Sequence, residues 1–152
     1  MTDAAETINR LHTGTWAERI GLEVLTATRD EVTAKLVVRP DHCQPQGIVH
    51  GGVYCAIVET LASVGAALDA MPHGKNVVGL ENQTSFVRAT RAGAVLACRA
   101  TPVTRGRRTQ LWDVVVSHED GHVAASGRVR LLVLDPESEV AGAKLPERPH
   151  GA

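Results

Sequence analysis

The stretch GGVYCAIVETLASVGAALDA, Gly51–Ala70, reads as one long helix. It is nearly uncharged, but Glu59 near its centre and the two leading glycines make it a poor membrane span and a good buried helix. At about 100° per residue its side chains divide into two unlike faces. Val53, Tyr54, Ile57, Val58, Leu61, Val64 and Leu68 form an apolar stripe that should pack on a sheet. Gly52, Cys55, Ala56, Glu59, Ala62, Ser63, Ala66 and Ala67 form a face of small residues with one exception, Glu59. A solvent-facing side would carry Lys, Gln and Arg, so this one should meet another surface at close range, with a partner subunit the natural candidate. A lone carboxylate is costly to bury, and perturbed carboxylates mark functional sites. A helix acid reaching water at an interface rim would need no such surroundings.

Outward from the helix, alternating apolar runs predict strands. Two precede it, at Leu22–Thr28 and Val32–Val38, and Pro40 ends the second. Four follow, at Asn76–Val87, Ala94–Val103, Arg108–His118 and His122–Leu134, joined by Arg91-Ala92-Gly93, Arg105-Gly106-Arg107 and Glu119-Asp120-Gly121. Asp-Gly between alternating runs is a hairpin signal. The segment before Arg19 reads as irregular or short helix around Ile8, Leu11, Trp16 and Ile20. The predicted order is two strands, one helix and a four-stranded meander. A single helix and a single antiparallel sheet can bury their apolar surfaces only against each other, giving an α+β domain whose sheet curls around the helix. Residues 1–134 form that one domain, and the Pro- and Glu-rich residues 135–152 read as a flexible tail.

Composition narrows the function. The 152 residues suit one core, which Val, Leu, Ile and Ala must fill, since aromatic residues make up only 3%. A formal net charge of −1 argues against binding nucleic acid by phosphate neutralisation. The polar N-terminus is no secretory signal. Cys43, Cys55 and Cys98 form no CxxC pair, which fits a reducing cytoplasm. The seven histidines show no metal-ligand spacing such as HExxH.

The loop Gln44-Pro45-Gln46-Gly47-Ile48-Val49-His50-Gly51-Gly52 carries chemistry. A helix start offers unpaired N–H groups and a positive dipole end, and glycines there admit a ligand close to the backbone. Such a site suits a carbonyl oxygen that becomes negative in a transition state, and His50 beside it can orient a substrate or donate a hydrogen bond. Gly51 and Glu59 lie about 12 Å apart along one helix. An attacking group and a carbonyl-polarising group must converge to about 3 Å. Two antiparallel helices meeting through their small faces satisfy both demands, so the site should be shared between subunits.

Gln44-Pro45-x-Gly47-x-x-His50-Gly51-Gly52 followed by Glu59 and Ser63 resembles the hotdog-fold acyl-CoA thioesterases. The subgroup it looks like carries a helix-borne Glu and includes hydroxybenzoyl-CoA, phenylacetyl-CoA and dihydroxynaphthoyl-CoA thioesterases. Val77-Val78-Gly79-Leu80-Glu81, Val87-Arg88 and the run Gly106 to Trp112 add to the match, which spans about Gly21 to Leu134. The resemblance implies that Glu59 attacks the thioester carbon or activates water to do so. It implies that Gly51 N–H polarises the carbonyl while Gln44 and His50 position it, and that Ser63 helps hold Glu59 or the water. CoA, part of the substrate and not a cofactor, would lie at a subunit boundary. Its contacts would be Gly79, Phe86, Val87, Arg88 and Ala89, and the turn of Thr104, Arg105, Gly106, Arg107, Arg108 and Thr109. Arg suits phosphate through its planar fork of donors, although such a cluster is equally compatible with a solvated hairpin.

Acyl-CoA is thus the expected partner, with self-association as a dimer or tetramer and neither nucleic acid nor membrane. Two other readings compete. A hotdog 3-hydroxyacyl dehydratase also uses a helix acid and a loop His, but its His-Phe-Pro loop is missing. A non-catalytic acyl-CoA-sensing module has no need of a buried acid, and no helix-turn-helix pattern precedes the fold here.

Overall fold

The structure, a computed structural model, describes residues 4–145. Two short helices, α1 (Ala5–Leu11) and α2 (Trp16–Arg19), lead into β1 (Leu22–Ala27) and β2 (Val32–Val37). The long helix α3 spans Gly51–Ala70, as its composition predicts. Then come β3 (Asn76–Phe86), β4 (Val95–Arg105), β5 (Thr109–His118) and β6 (Val123–Leu134). His50 caps the start of α3, its Nδ1 accepting the Gly52 N–H at 2.9 Å. The 3-10 turn Met71–His73, with Pro72 inside it and Gly74 in the left-handed region at φ 68°, closes the other end.

Six strands form one antiparallel sheet in the order β1-β2-β4-β5-β6-β3, and α3 contacts every one of them. The expectation of a four-stranded meander is corrected here. Of the four strands after α3, β4, β5 and β6 are joined as hairpins, while β3 pairs with β6 at the far edge. The connectors explain the difference. Residues 87–94 are too many for a tight hairpin, and they cross the start of α3, where Thr90 O accepts the Val49 N–H at 2.8 Å. They deliver β4 beside β2, where Val38 N–H reaches Ala94 O at 2.8 Å. The Asp120-Gly121 turn forms as its residues predict, with Gly121 at φ 84° and its N–H on His118 O at 2.9 Å.

The buried stripe of α3 runs Tyr54, Ile57, Val58, Leu61, Ala62, Gly65, Ala66. Ala62 and Ala66, expected on the outer face, are fully buried, whereas Val64 and Leu68, expected on the sheet, are half-exposed. Trp112 of β5 decides this. Its fully buried ring fills the space where a Cβ on Gly65 would stand, so the helix must turn its small residues toward the sheet. Val64 and Leu68 instead line a groove between α3 and the side of α1 and α2. Although Gly51–His73 is long and apolar enough to pass for a membrane span, half of its most apolar window is buried inside the protein.

The two sheet edges differ. On β1 the Asn9 side chain of α1 brackets Val24, donating to its carbonyl at 2.8 Å and accepting its N–H at 3.0 Å. The outer edge of β3 has no such cover among the described residues. Beyond β6 the segment read as a tail holds a small hairpin of β7 (Glu139–Val140) and β8 (Ala143–Lys144). The remainder of that reading, residues 146–152, lies outside the described residues.

Candidate active site

Glu59 sits half-buried at the middle of α3, at the wall of a groove of about 560 Å³ between that helix and α1–α2. Its Oε2 accepts from Asn82 Nδ2 at 3.1 Å, and the same nitrogen donates to Cys55 O at 3.1 Å. Thr84 Oγ1 in turn donates to Asn82 Oδ1 at 2.6 Å. Oε1 takes no hydrogen bond among the described residues and stands where a Cβ on Gly79 would be. Gly79, expected against CoA, therefore makes room for the carboxylate. Ser63 lines the same groove one turn on, without a hydrogen bond to Glu59 among the described residues.

Asn82 and Thr84 escaped the sequence reading. A bulge between Gly79 and Glu81 is the reason. It inserts Leu80 into β3 and reverses the strand's parity, so Asn82, Thr84 and Phe86 follow Gly79 on the helix side. Glu81, which strict alternation would turn toward Glu59, instead pairs with Arg130 at 2.9 Å. Polar residues at period two, Asn82 and Thr84, were the available signal.

At the start of α3 a second hollow of about 610 Å³ gathers Gln44, His50, Gly51 and Gly52 with Phe86, Val87, Arg88 and Ala89. The turn holding Gln44 is tight, with Gln44 N–H on Ile48 O at 2.9 Å and Gly47 N–H on Gln44 O at 2.8 Å. Because His50 Nδ1 accepts from Gly52, a neutral His50 ring carries its proton on Nε2. Gly51 N–H has no partner among the described residues. The openings left by the two glycines are filled from within the chain. A Cβ on Gly51 would stand 2.5 Å from the Phe86 ring, and one on Gly52 3.0 Å from His50 Nδ1. Beneath them Tyr54 donates to Thr90 Oγ1 at 2.6 Å, tying residues 87–90 to the helix.

The Thr104–Thr109 turn lies at the opposite end of α3. Arg105 is engaged there with Asp30 at 2.8 Å and Asp69 at 3.6 Å, while Asp69 also accepts from Gln110 Nε2 at 3.0 Å. Arg107, Arg108 and Thr109 are exposed. Within one chain, then, Glu59 is brought together with Ser63 and Gly79, and Gly51 with Gln44, His50 and residues 86–89. Residues 104–109 stand apart from both.

One long helix enclosed by a six-stranded antiparallel sheet defines the hotdog class of α+β folds. Residues 46–125 match the Thioesterase superfamily, and the chain belongs to that family. A Mycobacterium tuberculosis protein that carries an esterase name is 43% identical over 118 residues, 76% of this chain and 84% of its own. The 1,4-dihydroxy-2-naphthoyl-CoA hydrolase of Listeria monocytogenes is 31% identical over 116 residues, 76% of this chain and 93% of its own. The crystal structure of a Haemophilus influenzae thioesterase superimposes with a TM-score of 0.83 at 30% identity, covering 91% of this chain and 95% of that one. This protein is a thioester hydrolase.

Proposed function

We propose that the enzyme hydrolyses acyl-CoA thioesters, aryl or aliphatic, to the free acid and CoA at sites shared between two copies of the chain. Glu59 of one copy attacks the thioester carbon, or takes a proton from the water that does. In the first course CoA leaves as thiolate and water opens the resulting anhydride; in the second, water adds and CoA leaves directly. Gly51 N–H of the other copy stabilises the oxyanion, with Gln44 and His50 holding the carbonyl in place. Ser63 holds the water.

The observation that carries this reading is the state of the Glu59 carboxylate. One oxygen is anchored by Asn82 while the other, at the wall of a groove, is without a hydrogen bond among the described residues. Sharing between copies follows from the helix rise, which puts Gly51 and Glu59 about 12 Å apart in one chain. It is supported by the sheet edges: β1 is blocked by Asn9, whereas among the described residues nothing covers the edge of β3, which exposes Leu80 and Phe86, with Val87 exposed just beyond it. An antiparallel pair with Gly51 against Glu59 sets the helix start of one copy beside the middle of the other, whose last turns run on about 16 Å past it. Phe86–Ala89 and the Arg107–Arg108 turn then border one CoA cleft, each from a different copy. The name of the Listeria relative is in keeping with a CoA ester. The reaction needs water and no cofactor; the proposal sets it in the cytoplasm, with no nucleic-acid or membrane partner.

Thiol release from a panel of acyl-CoA esters tests the reading. Glu59→Gln keeps the size of the side chain and removes its anionic oxygen, so kcat should fall by about a hundredfold or more. A variant that keeps a tenth of the wild-type rate would exclude Glu59 as base or nucleophile.

A further inference from the structure

Behind the start of α3 sits a buried hydroxyl that packing alone does not require. Thr90 lies in the segment that crosses from β3 to β4 and is 2% exposed. A valine of the same shape would fill that space with no polar atom to satisfy. The Thr90 side chain instead joins three elements. Tyr54, on the buried face of the first turns of α3, donates to Thr90 Oγ1 at 2.6 Å. Thr90 Oγ1 in turn lies 3.2 Å from His118 Nε2 at the end of β5. With Tyr54 as donor, the hydroxyl's own proton is directed at His118 Nε2, which accepts it in the neutral tautomer protonated on Nδ1. His118 gives this chain of bonds a fixed end. Its N–H reaches His122 O and its carbonyl accepts the Gly121 N–H, both at 2.9 Å.

Two routes lead from Thr90 to Gly51. Along the main chain, Thr90 O accepts the Val49 N–H at 2.8 Å, two residues before the helix begins. Through the side chains, Tyr54 faces Phe86 with ring centroids 6.0 Å apart, and the Phe86 ring lies 2.5 Å from where a Cβ on Gly51 would stand. The same segment is fastened on its other side, because the N–H groups of Val87 and Arg88 both rest on Ala124 O, at 2.9 and 3.0 Å. We infer that Thr90 is a positioning residue of this hydrolase. Its hydroxyl holds the crossing segment at one distance from α3, so that Gly51 N–H keeps a fixed aim at the thioester carbonyl. Buried itself, Thr90 acts only through Val49 and Phe86. The inference rests on the reading of Gly51 as the oxyanion donor, since a donor of that kind works by being aimed before the charge develops.

The test compares three variants of the full chain. Thr90→Val keeps the shape and loses the hydroxyl, Thr90→Ser keeps the hydroxyl, and Tyr54→Phe removes its donor. Thiol release is measured well below each melting temperature, with the acyl-CoA ester that the wild type hydrolyses fastest. In Thr90→Val kcat should fall about ten- to a hundredfold, as a displacement approaching 1 Å does. KM should stay nearly unchanged, because only an interaction of the transition state is disturbed. Thr90→Ser should recover most of the loss. Amide hydrogen exchange reads the geometry directly: the Val49 N–H should exchange about tenfold faster in Thr90→Val, the range of one hydrogen bond. Melting curves show which variants fold, and Tyr54→Phe carries the same two predictions where Thr90→Val does not. A hydroxyl that serves stability alone would lower the melting temperature and leave kcat of the folded protein untouched, which overturns the inference. The exchange rates separate the failures. Normal kcat with Val49 still protected sinks the inference alone. Normal kcat with Val49 freed sinks it together with the role given to Gly51.

Discussion

Glu59 and Gly79 share one small space, and the sharing predicts how activity and stability come apart. A Cβ on Gly79 would stand against Glu59 Oε1, the far end of a flexible side chain, while the backbone at Gly79 is extended strand that any residue adopts. Gly79→Ala should therefore fold with a melting temperature near that of the wild type, because the carboxylate can swing away. The displaced carboxylate should lose about ten- to a hundredfold in kcat, as misplacements of around 1 Å do. Equal thioesterase rates in the two proteins would mean that Glu59 does not act from where Asn82 holds it. At this scale the position of Glu59 stood out in the sequence, as a lone acid among small residues. Its anchor did not, because Asn82 reaches Glu59 only through the bulge at Leu80, and no local signal announces a change of strand parity.

The helix α3 shows the same division one level up. Its limits, Gly51 and Ala70, follow from local chemistry: a capping His50 before two glycines, and Pro72 beyond the end. Its rotation does not, since a helix with large residues on more than one side can settle several ways on a sheet. Trp112 selects one. The indole is fully buried, and its Nε1–H is fastened to Gln110 Oε1 at 2.8 Å, so it cannot yield to a new methyl group on α3. Gly65→Ala gains about 1 kcal/mol in helix propensity but overpacks the ring, at about 1–3 kcal/mol. The net should be a loss of about 1 kcal/mol, read as a melting temperature a few degrees lower. A Gly65→Ala protein that melts higher than wild type would mean that the ring is free to move.

For the whole molecule, the two edges of the sheet set how copies can join. Among the described residues β1 is closed by Asn9 and β3 is not covered; the proposed shared site requires pairing through β3 that would bring two α3 helices together in antiparallel order. Mixed dimers test the shared site. Gly51→Pro removes the N–H assigned to the oxyanion, and Pro is accepted in a first helical turn. Phe86, 58% exposed, has room to swing from the ring it would meet. Dimers of Gly51→Pro alone and of Glu59→Gln alone should each be nearly inactive. A mixed dimer collects both defects in one site and leaves the other intact, so up to about half of the wild-type activity should return. Folded mixed dimers without recovery would show that Gly51 and Glu59 do not meet across an interface.

By itself the sequence determined the six long strands, the limits of the long helix and the hairpin at Asp120-Gly121, and it singled out Glu59. Each of these is encoded within a few residues, by periodicity, capping and turn chemistry. Only the tertiary structure decided the place of β3 beside β6, because alternation marks a strand without naming its neighbour. The tertiary structure alone also turned Ala62 and Ala66 inward, where the close approach of the sheet to α3 leaves room only for small side chains. The same holds for the pairing of Asn82 with Glu59 and for the groove that His12 lines with Ser63 and Leu68. These contacts join residues far apart in the chain, and their geometry exists only once the sheet has closed on the helix.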